Sequence, residues 1–203
     1  YQTHNIASNL IGNNVNIEAK KDISILGSNI QANEKGNIKA EGNITQAGVK
    51  NISYGYHHTS KKGLFGLASK SITDESYQEN AVRSATMSGD KGLTYDSKNN
   101  LVLTGVTVVS KGNIDLKANN VTINPLETKS NIKHEEKKKS FKADLSVKGS
   151  NYSYGKDKFE SNTDIVKQNS SQIVSEKDVN INANDKVKAT SVDIFAKNDI
   201  NIS

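Results

Sequence analysis

Six apolar positions of this 203-residue chain recur at a single offset. Leu93, Tyr95, Leu101, Val106, Ile114 and Leu116 are matched 86 residues later by Val179, Ile181, Val187, Val192, Ile200 and Ile202. A fixed period limits the fold more than any one element does, because a repeat too small to bury its own apolar side must bury it against a neighbouring copy. The shared phrase runs over residues 13–48, 91–125 and 177–203, as in GNIDLKANNVTIN at 112–124. The first block aligns more loosely, with Val15, Ile17, Ile23 and Ile25 lying 78 residues before Leu93, Tyr95, Leu101 and Leu103. The approach segment 4–19 also runs parallel to 168–183, so the chain is expected to start near the end of one unit and to stop inside another.

Within a block, apolar residues sit at i and i+2, which places both on one face of a short strand. Such strands follow one another every five to eight residues, at Val15, Ile23, Ile30, Ile38 and Ile44. Before them stand pairs such as Asn13-Asn14, Lys21-Asp22, Gly36-Asn37, Gly42-Asn43, Gly112-Asn113, Asn119-Asn120 and Asn198-Asp199. Asn, Asp and Gly tolerate corner backbone angles and satisfy backbone polar groups there. Corners this frequent predict a coil of about 20 residues with parallel strands stacked about 4.8 Å apart. The expected fold is all-β: a right-handed parallel β-helix, a single fragment over 1–203, with a narrow core of Ile, Val and Leu. A core of that kind accommodates the low hydrophobic content of 33% and the mean hydropathy of −0.65. An antiparallel sandwich would call for longer strands and more aromatic residues, and a calcium-binding roll for the absent GGxGxD phrase.

Two stretches, 49–90 and 126–176, break the ladder. Each is too long for a structureless loop in a compact domain. Ile52, Tyr54 and Tyr56 alternate with polar residues before a glycine-containing loop around Gly63 to Gly66. Phe141, Ala143, Leu145 and Val147 alternate likewise, Gly149-Ser150 offers a turn, and Tyr152 and Tyr154 follow. Both insertions read as hairpin-like arms beside the column. Most of the aromatic residues lie in them, so a contact surface is expected there, unless the apolar side of the arms merely packs on the column or on the other arm.

Chemistry is read mainly by elimination. The chain has no Cys, hence no disulfide, thiolate metal site or cysteine nucleophile. The His57-His58 pair is not read as a metal site, since strand neighbours point to opposite faces. His134-Glu135-Glu136 lacks the second histidine of a zinc helix, and GVTVVSKG has Ser110 where a phosphate loop needs glycine. No catalytic, cofactor-binding or metal residue is assigned, and no cofactor is expected. The net charge of +5 is mild, Arg83 is the sole arginine, and Lys137, Lys138 and Lys139 directly follow Glu135 and Glu136. Nucleic acid is therefore not an expected partner. The competing reading is a polysaccharide-cleaving or polysaccharide-binding β-helix, with Asp115 and Lys117, or Asp193 and Lys197, along one outer face. No apolar run approaches the length of a membrane helix, no signal peptide starts the chain, and its first residue is Tyr1, which suggests a piece of something longer.

The ladder phrases NNVNIEAKKDISILGSNIQA, KNNLVLTGVTVVSKGNIDLKANNVTI and KDVNINANDKVKATSVDIFAKNDINI, separated by Ser-, Lys- and Tyr-containing alternating stretches, resemble the haemagglutinin repeats of filamentous haemagglutinin and contact-dependent inhibition exoproteins. The resemblance is greatest to the second class of repeat, in which long polar strands interrupt the coils. It implies a secreted or cell-surface filament exported by two-partner secretion through an outer-membrane pore, with no catalysis in the repeats. Its implied partners are a host or neighbouring bacterial cell surface and, in toxin-delivery members, the target outer membrane. Adhesion and toxin delivery both remain open. Exposed strand edges at the two ends of a cut β-helix also predict end-to-end self-association, or protection of those ends by the arms.

Overall fold

The computed structural model describes residues 1–63, 68–146 and 149–203. Among them every regular element is a strand and none a helix. The chain divides into two units, each built from three chain segments.

The larger unit comprises His4–Asn51, Asn80–Thr128 and Lys167–Ser203. Its strands are β2 (Asn9–Ala19), β3 (Ile23–Leu26), β4 (Asn29–Ala40), β5 (Ile44–Ala47), β8 (Ser84–Ser88), β9 (Leu93–Ser97), β10 (Asn100–Thr104), β11 (Val106–Ser110), β12 (Ile114–Asn124), β15 (Ser171–Ser175), β16 (Val179–Ala189), β17 (Val192–Ala196) and β18 (Ile200–Ile202). All are paired in parallel, and each circuit brings the chain alongside itself. Val15 lies beside Gly36, and Gly36 beside Leu93. A step of 21 residues followed by one of 57 makes up the 78-residue offset of the sequence. Leu93 lies beside Ile114, Ile114 beside Val179, and Val179 beside Ile200. Here a step of 21 and one of 65 make up the offset of 86. The long sequence period is thus two circuits with an insertion between them.

The rungs Leu93, Tyr95, Leu101, Leu103, Ile114, Leu116, Val121, Ile123, Val179 and Ile181 are all buried. Burial of each such side chain contributes about 1.5–3 kcal/mol, so a column of them offsets the thin composition. Asn and Asp form a second ladder at the corners. Asn43 donates to Asp22 at 2.9 Å, Asn100 to Asn43 at 2.8 Å and Asn120 to Asn100 at 3.1 Å, in consecutive circuits.

The structure changes three details. First, the short strands expected on either side of some corners are continuous: β2 and β4 each pass through their corner, with a register shift between Gly12 and Asn14. Gly36, expected at a corner, lies inside β4, where a Cβ would stand 2.6 Å from Leu93 Cδ1. Second, the ladder resumes at Ser84 and Ser171, because β8 and β15 pair with it. Apart from Ile173, their inward residues, Ser84, Thr86, Ser88, Ser171 and Ser175, are buried but polar, which hides these strands from a reading based on hydrophobic spacing. Third, only some corner glycines use left-handed angles: Gly27, Gly92 and Gly105 have φ of 54°, 85° and 57°. Gly112 serves close approach, since a Cβ there would lie 2.5 Å from both Asp90 O and Gly92 N.

The smaller unit comprises Tyr1–Thr3, Ile52–Glu79 and Lys129–Val166. It is a five-stranded sheet in the order β1 (Gln2–Thr3), β6 (Val49–Lys62), β7 (Ser69–Val82), β13 (Leu126–Ser146) and β14 (Gly149–Asn169). The two arms are joined through β7 and β13, which pair antiparallel from Gln78↔Ser130 to Ser69↔Lys139. Most of the expected loop around Gly63 to Gly66 falls on 64–67, outside the described residues. The side chains of Ala143 and Leu145, and Val147 as a whole, are outside them too. Gly149 and Ser150, expected in a turn, already belong to β14.

Candidate interaction surface

The smaller unit has no buried side chain among its described residues. Backbone pairing, not an apolar core, therefore supplies its cohesion, and both faces present side chains to the surroundings. Cross-strand pairs carry the remaining order, as they do on any open sheet.

Near the middle of the sheet, His134 Nδ1 lies 2.5 Å from Asp74 Oδ1, and its ring lies 6.0 Å from that of Phe159. Tyr77 donates its hydroxyl to Glu79 Oε1 at 2.7 Å, and that hydrogen bond raises the phenol pKa. Phe141 stacks on Tyr152 with ring centroids 6.0 Å apart. The ammonium of Lys156 sits 5.6 Å from the centroid of the Tyr154 ring, a favourable cation–π distance. Exposed Tyr54, Tyr56, Tyr152, Tyr154 and Phe159 give this unit an aromatic surface.

Toward the hairpin end the chemistry becomes basic. Lys61 and Lys62 of β6, Lys70 of β7, and Lys138 and Lys139 of β13 line one shallow depression of about 290 Å³ together with Ser69. Lys70 is paired with Glu136 at 2.9 Å. Lys137 pairs with Glu135, whose pKa that hydrogen bond lowers. Lys158 pairs with Glu160 at 2.6 Å, which raises the lysine. Lys61, Lys62, Lys138 and Lys139 have no acidic partner among the described residues. Converging cations of one sign repel each other and attract an anion. In the sequence Lys137 to Lys139 read as balanced by the glutamates before them, and nothing local unites them with Lys61, Lys62 and Lys70. One signal is present: Ser53, His57, Lys61 and Lys62 match Ser130, His134, Lys138 and Lys139 at an offset of 77, which aligns the first strands of the two insertions.

The remaining candidate residues stand apart from this cluster. His57 is exposed and bonds Thr59 at 2.8 Å, while His58 Nδ1 lies 2.9 Å from Thr73 Oγ1. No group of three potential metal ligands occurs among the described residues. In the larger unit, Asp115 accepts from Asn180 at 2.9 Å and Asp193 from Ser170 at 3.1 Å. Lys117 borders a depression of about 410 Å³ with Asp96, Lys98, Asn119, Asn182 and Asn184, whereas Asp115 and Lys197 are not among its lining residues. Asp115 is thus held in the Asn/Asp ladder rather than in a carboxylate cluster.

A family model for the hemagglutinin repeat matches residues 1–140. No curated protein and no solved structure matches the chain.

Proposed function

Because the chain belongs to the hemagglutinin-repeat family, we propose that it is a non-catalytic structural and interaction segment of a large secreted bacterial exoprotein of the two-partner type. In this reading the larger unit is a stretch of right-handed parallel β-helix, a column that carries the insertions. Repeated parallel steps of about 21 residues and a buried central row of rungs support it. The smaller unit is the contact surface, presented at a bacterial or host cell exterior. The observation that carries this assignment is the gathering of Lys61, Lys62, Lys138 and Lys139, without acidic partners among the described residues, in a unit that also exposes aromatic rings and buries none of its described side chains.

A surface with these groups suits an anionic, phosphorylated or sulfated envelope, where ammonium groups meet the charges and aromatic rings lie against apolar or sugar surfaces. Either an adhesive filament or a toxin-delivery stick that engages the target outer membrane would use it.

Binding of the chain to vesicles with and without an anionic headgroup tests the reading. Lys61→Glu combined with Lys138→Glu is expected to weaken association with anionic vesicles by about thirtyfold or more, because each charge near such a surface contributes about 1 kcal/mol and each of the two reversals removes more than one such term. Equal binding by wild type and variant, insensitive to salt, would defeat it.

A further inference from the structure

On the larger unit, one outward row of side chains departs from the polar surface of the ladder. The parallel registers of β2, β4, β8, β11, β15 and β17 align Ile11, Gln31, Met87, Val109, Val174 and Phe195 in consecutive circuits. The middle residues alternate with buried neighbours: Met87 stands between Thr86 and Ser88, Val109 between Val108 and Ser110, and Val174 between Ile173 and Ser175. Alternation therefore turns the row away from the core. Met87 is exposed, and Val109 and Val174 are half-buried. The corresponding outward row on β4, β9, β12 and β16 reads Asn37, Thr94, Asp115 and Asn180, as a solvated face requires. The apolar row runs along the side of the ladder, so circuits added above or below would lengthen it without covering it.

We infer that this row docks a second copy of the chain, packed antiparallel about a two-fold axis that lies between the circuits of Val109 and Val174.

Period and charge both favour this occupant. An apolar row with one side chain about every 4.8 Å is matched along its length by a surface of the same period, and two such sheets pack face to face about 10 Å apart. Around the stated axis Val109 of one copy meets Val174 of the other, and Met87 meets Phe195. The flanking corner row holds Gly89, Lys111 and Glu176 in consecutive circuits. Neither Lys111 nor Glu176 has an ion-pair partner among the described residues. In the antiparallel dimer Lys111 of each copy faces Glu176 of the other, so symmetry makes the pair twice. On the opposite flank Asp193 faces Ala85, and no like charges meet. A parallel packing would pair Asp193 with Lys197 instead and would set Lys111 and Glu176 against Thr107 and Gln172. Asp193 already accepts from Ser170 at 3.1 Å, whereas Lys111 and Glu176 flank the centre of the row and lack partners. Charge thus selects the antiparallel direction.

Size sets the strength. Four overlapping circuits and five strand residues give a contact of about 19 Å by 17 Å, smaller than the roughly 800 Å² per partner of a standard interface. Dimerisation is therefore expected to be weak and reversible, and an isologous contact of this kind closes at two copies.

Sedimentation of the chain at concentrations up to millimolar tests the inference. Val109→Lys with Val174→Lys sets like charges directly opposite each other across the axis. This double variant is expected to leave circular dichroism unchanged and to weaken the dimer by about a hundredfold or more. Val102→Lys makes the same change at an outward position of β10, between Thr45 and Thr122 of the adjacent circuits, and is expected to leave the dimer intact. Lys111→Glu and Glu176→Lys are each expected to weaken association about tenfold. An equimolar mixture of these two single variants restores both ion pairs and is expected to associate as a heterodimer about as well as wild type. Asp193→Lys is expected to change nothing. A wild-type chain that stays monomeric at millimolar concentration, a mixture no more associated than its two components, or a loss in Val102→Lys equal to that in the double variant would overturn the inference. So would a dimer weakened by Asp193→Lys as much as by Lys111→Glu.

Discussion

Gln46 is the residue at which the larger unit departs furthest from an apolar column. It takes the rung between Ile25 and Leu103, is fully buried, and accepts from the hydroxyl of Tyr95 at 2.5 Å. Its amide donates to Ser84 at 2.9 Å and to Thr86 at 3.0 Å, and Tyr95 also bonds Thr86 at 2.9 Å. A buried amide with partners is tolerable; one left without them costs about 1–3 kcal/mol. Gln46→Ala is therefore expected to lower unfolding free energy by about 2–4 kcal/mol, through the lost volume and the orphaned hydroxyls. Gln46→Leu with Tyr95→Phe removes donors and acceptors together, and is expected to cost less than the sum of the two single changes in urea denaturation. Strictly additive single and double variants would show that these side chains do not act as one network. Tyr95 is legible as an inward rung, because it shares the offset of Leu93. Gln46 is not, because its partners Thr86 and Tyr95 come from the next circuit and nothing local marks a buried glutamine.

At the scale of the elements, corner residues are easier to read than the strands between them. The Asn phrases mark the ladder in the sequence, since each Asn meets the equivalent residue of the next circuit, as Asn37 meets Asn16 at 2.6 Å and Asn201 meets Asn180 at 2.9 Å. Serine rungs escape the pattern for the converse reason: Ser84, Ser110 and Ser175 satisfy themselves with nearby carbonyls or hydroxyls, and a hydrophobicity template cannot see that. The arms are legible as strands, yet their mutual pairing is not, because no local turn joins β7 to β13 and so none sets the register between them. Gly112 illustrates how tightly the corners are stacked. Gly112→Ala would drive a methyl to 2.5 Å from two backbone atoms, and backbone cannot give way as a flexible side chain does, so a loss of about 2 kcal/mol or more is expected. Thermal melts should show it clearly against Gly12→Ala, where the nearest atoms lie at 3.5 Å. Equal melting temperatures for the two variants would remove close approach as the reason for glycine at 112.

For the whole molecule, charge sets different limits in acid and in alkali. Asp22 is lowered first by the backbone N–H of Asn43, Glu34 by Lys91, and Glu41 by Lys98. A folded pKa below the unfolded one contributes stability above the unfolded value and loses it as pH falls through the folded value. Stability should therefore decline below about pH 4, gradually and with salt sensitivity, since these carboxylates are exposed. In alkali the controlling group is buried. Desolvation pushes the Tyr95 phenol far above its ordinary value of 10.0, so the unfolded chain releases that proton first. Stability is retained below pH 10 and is lost at about 1.4 kcal/mol per pH unit above it. Lys98 and Lys158, raised by their carboxylate partners, also lose their contribution there, but as exposed groups they respond to salt. Urea midpoints measured between pH 9 and 12 at low and high salt separate the two sources. The Tyr95 component is expected to persist at high salt and to vanish in Tyr95→Phe. An alkaline decline that is fully screened by salt, or that is unchanged in Tyr95→Phe, would assign the limit to the surface ion pairs instead.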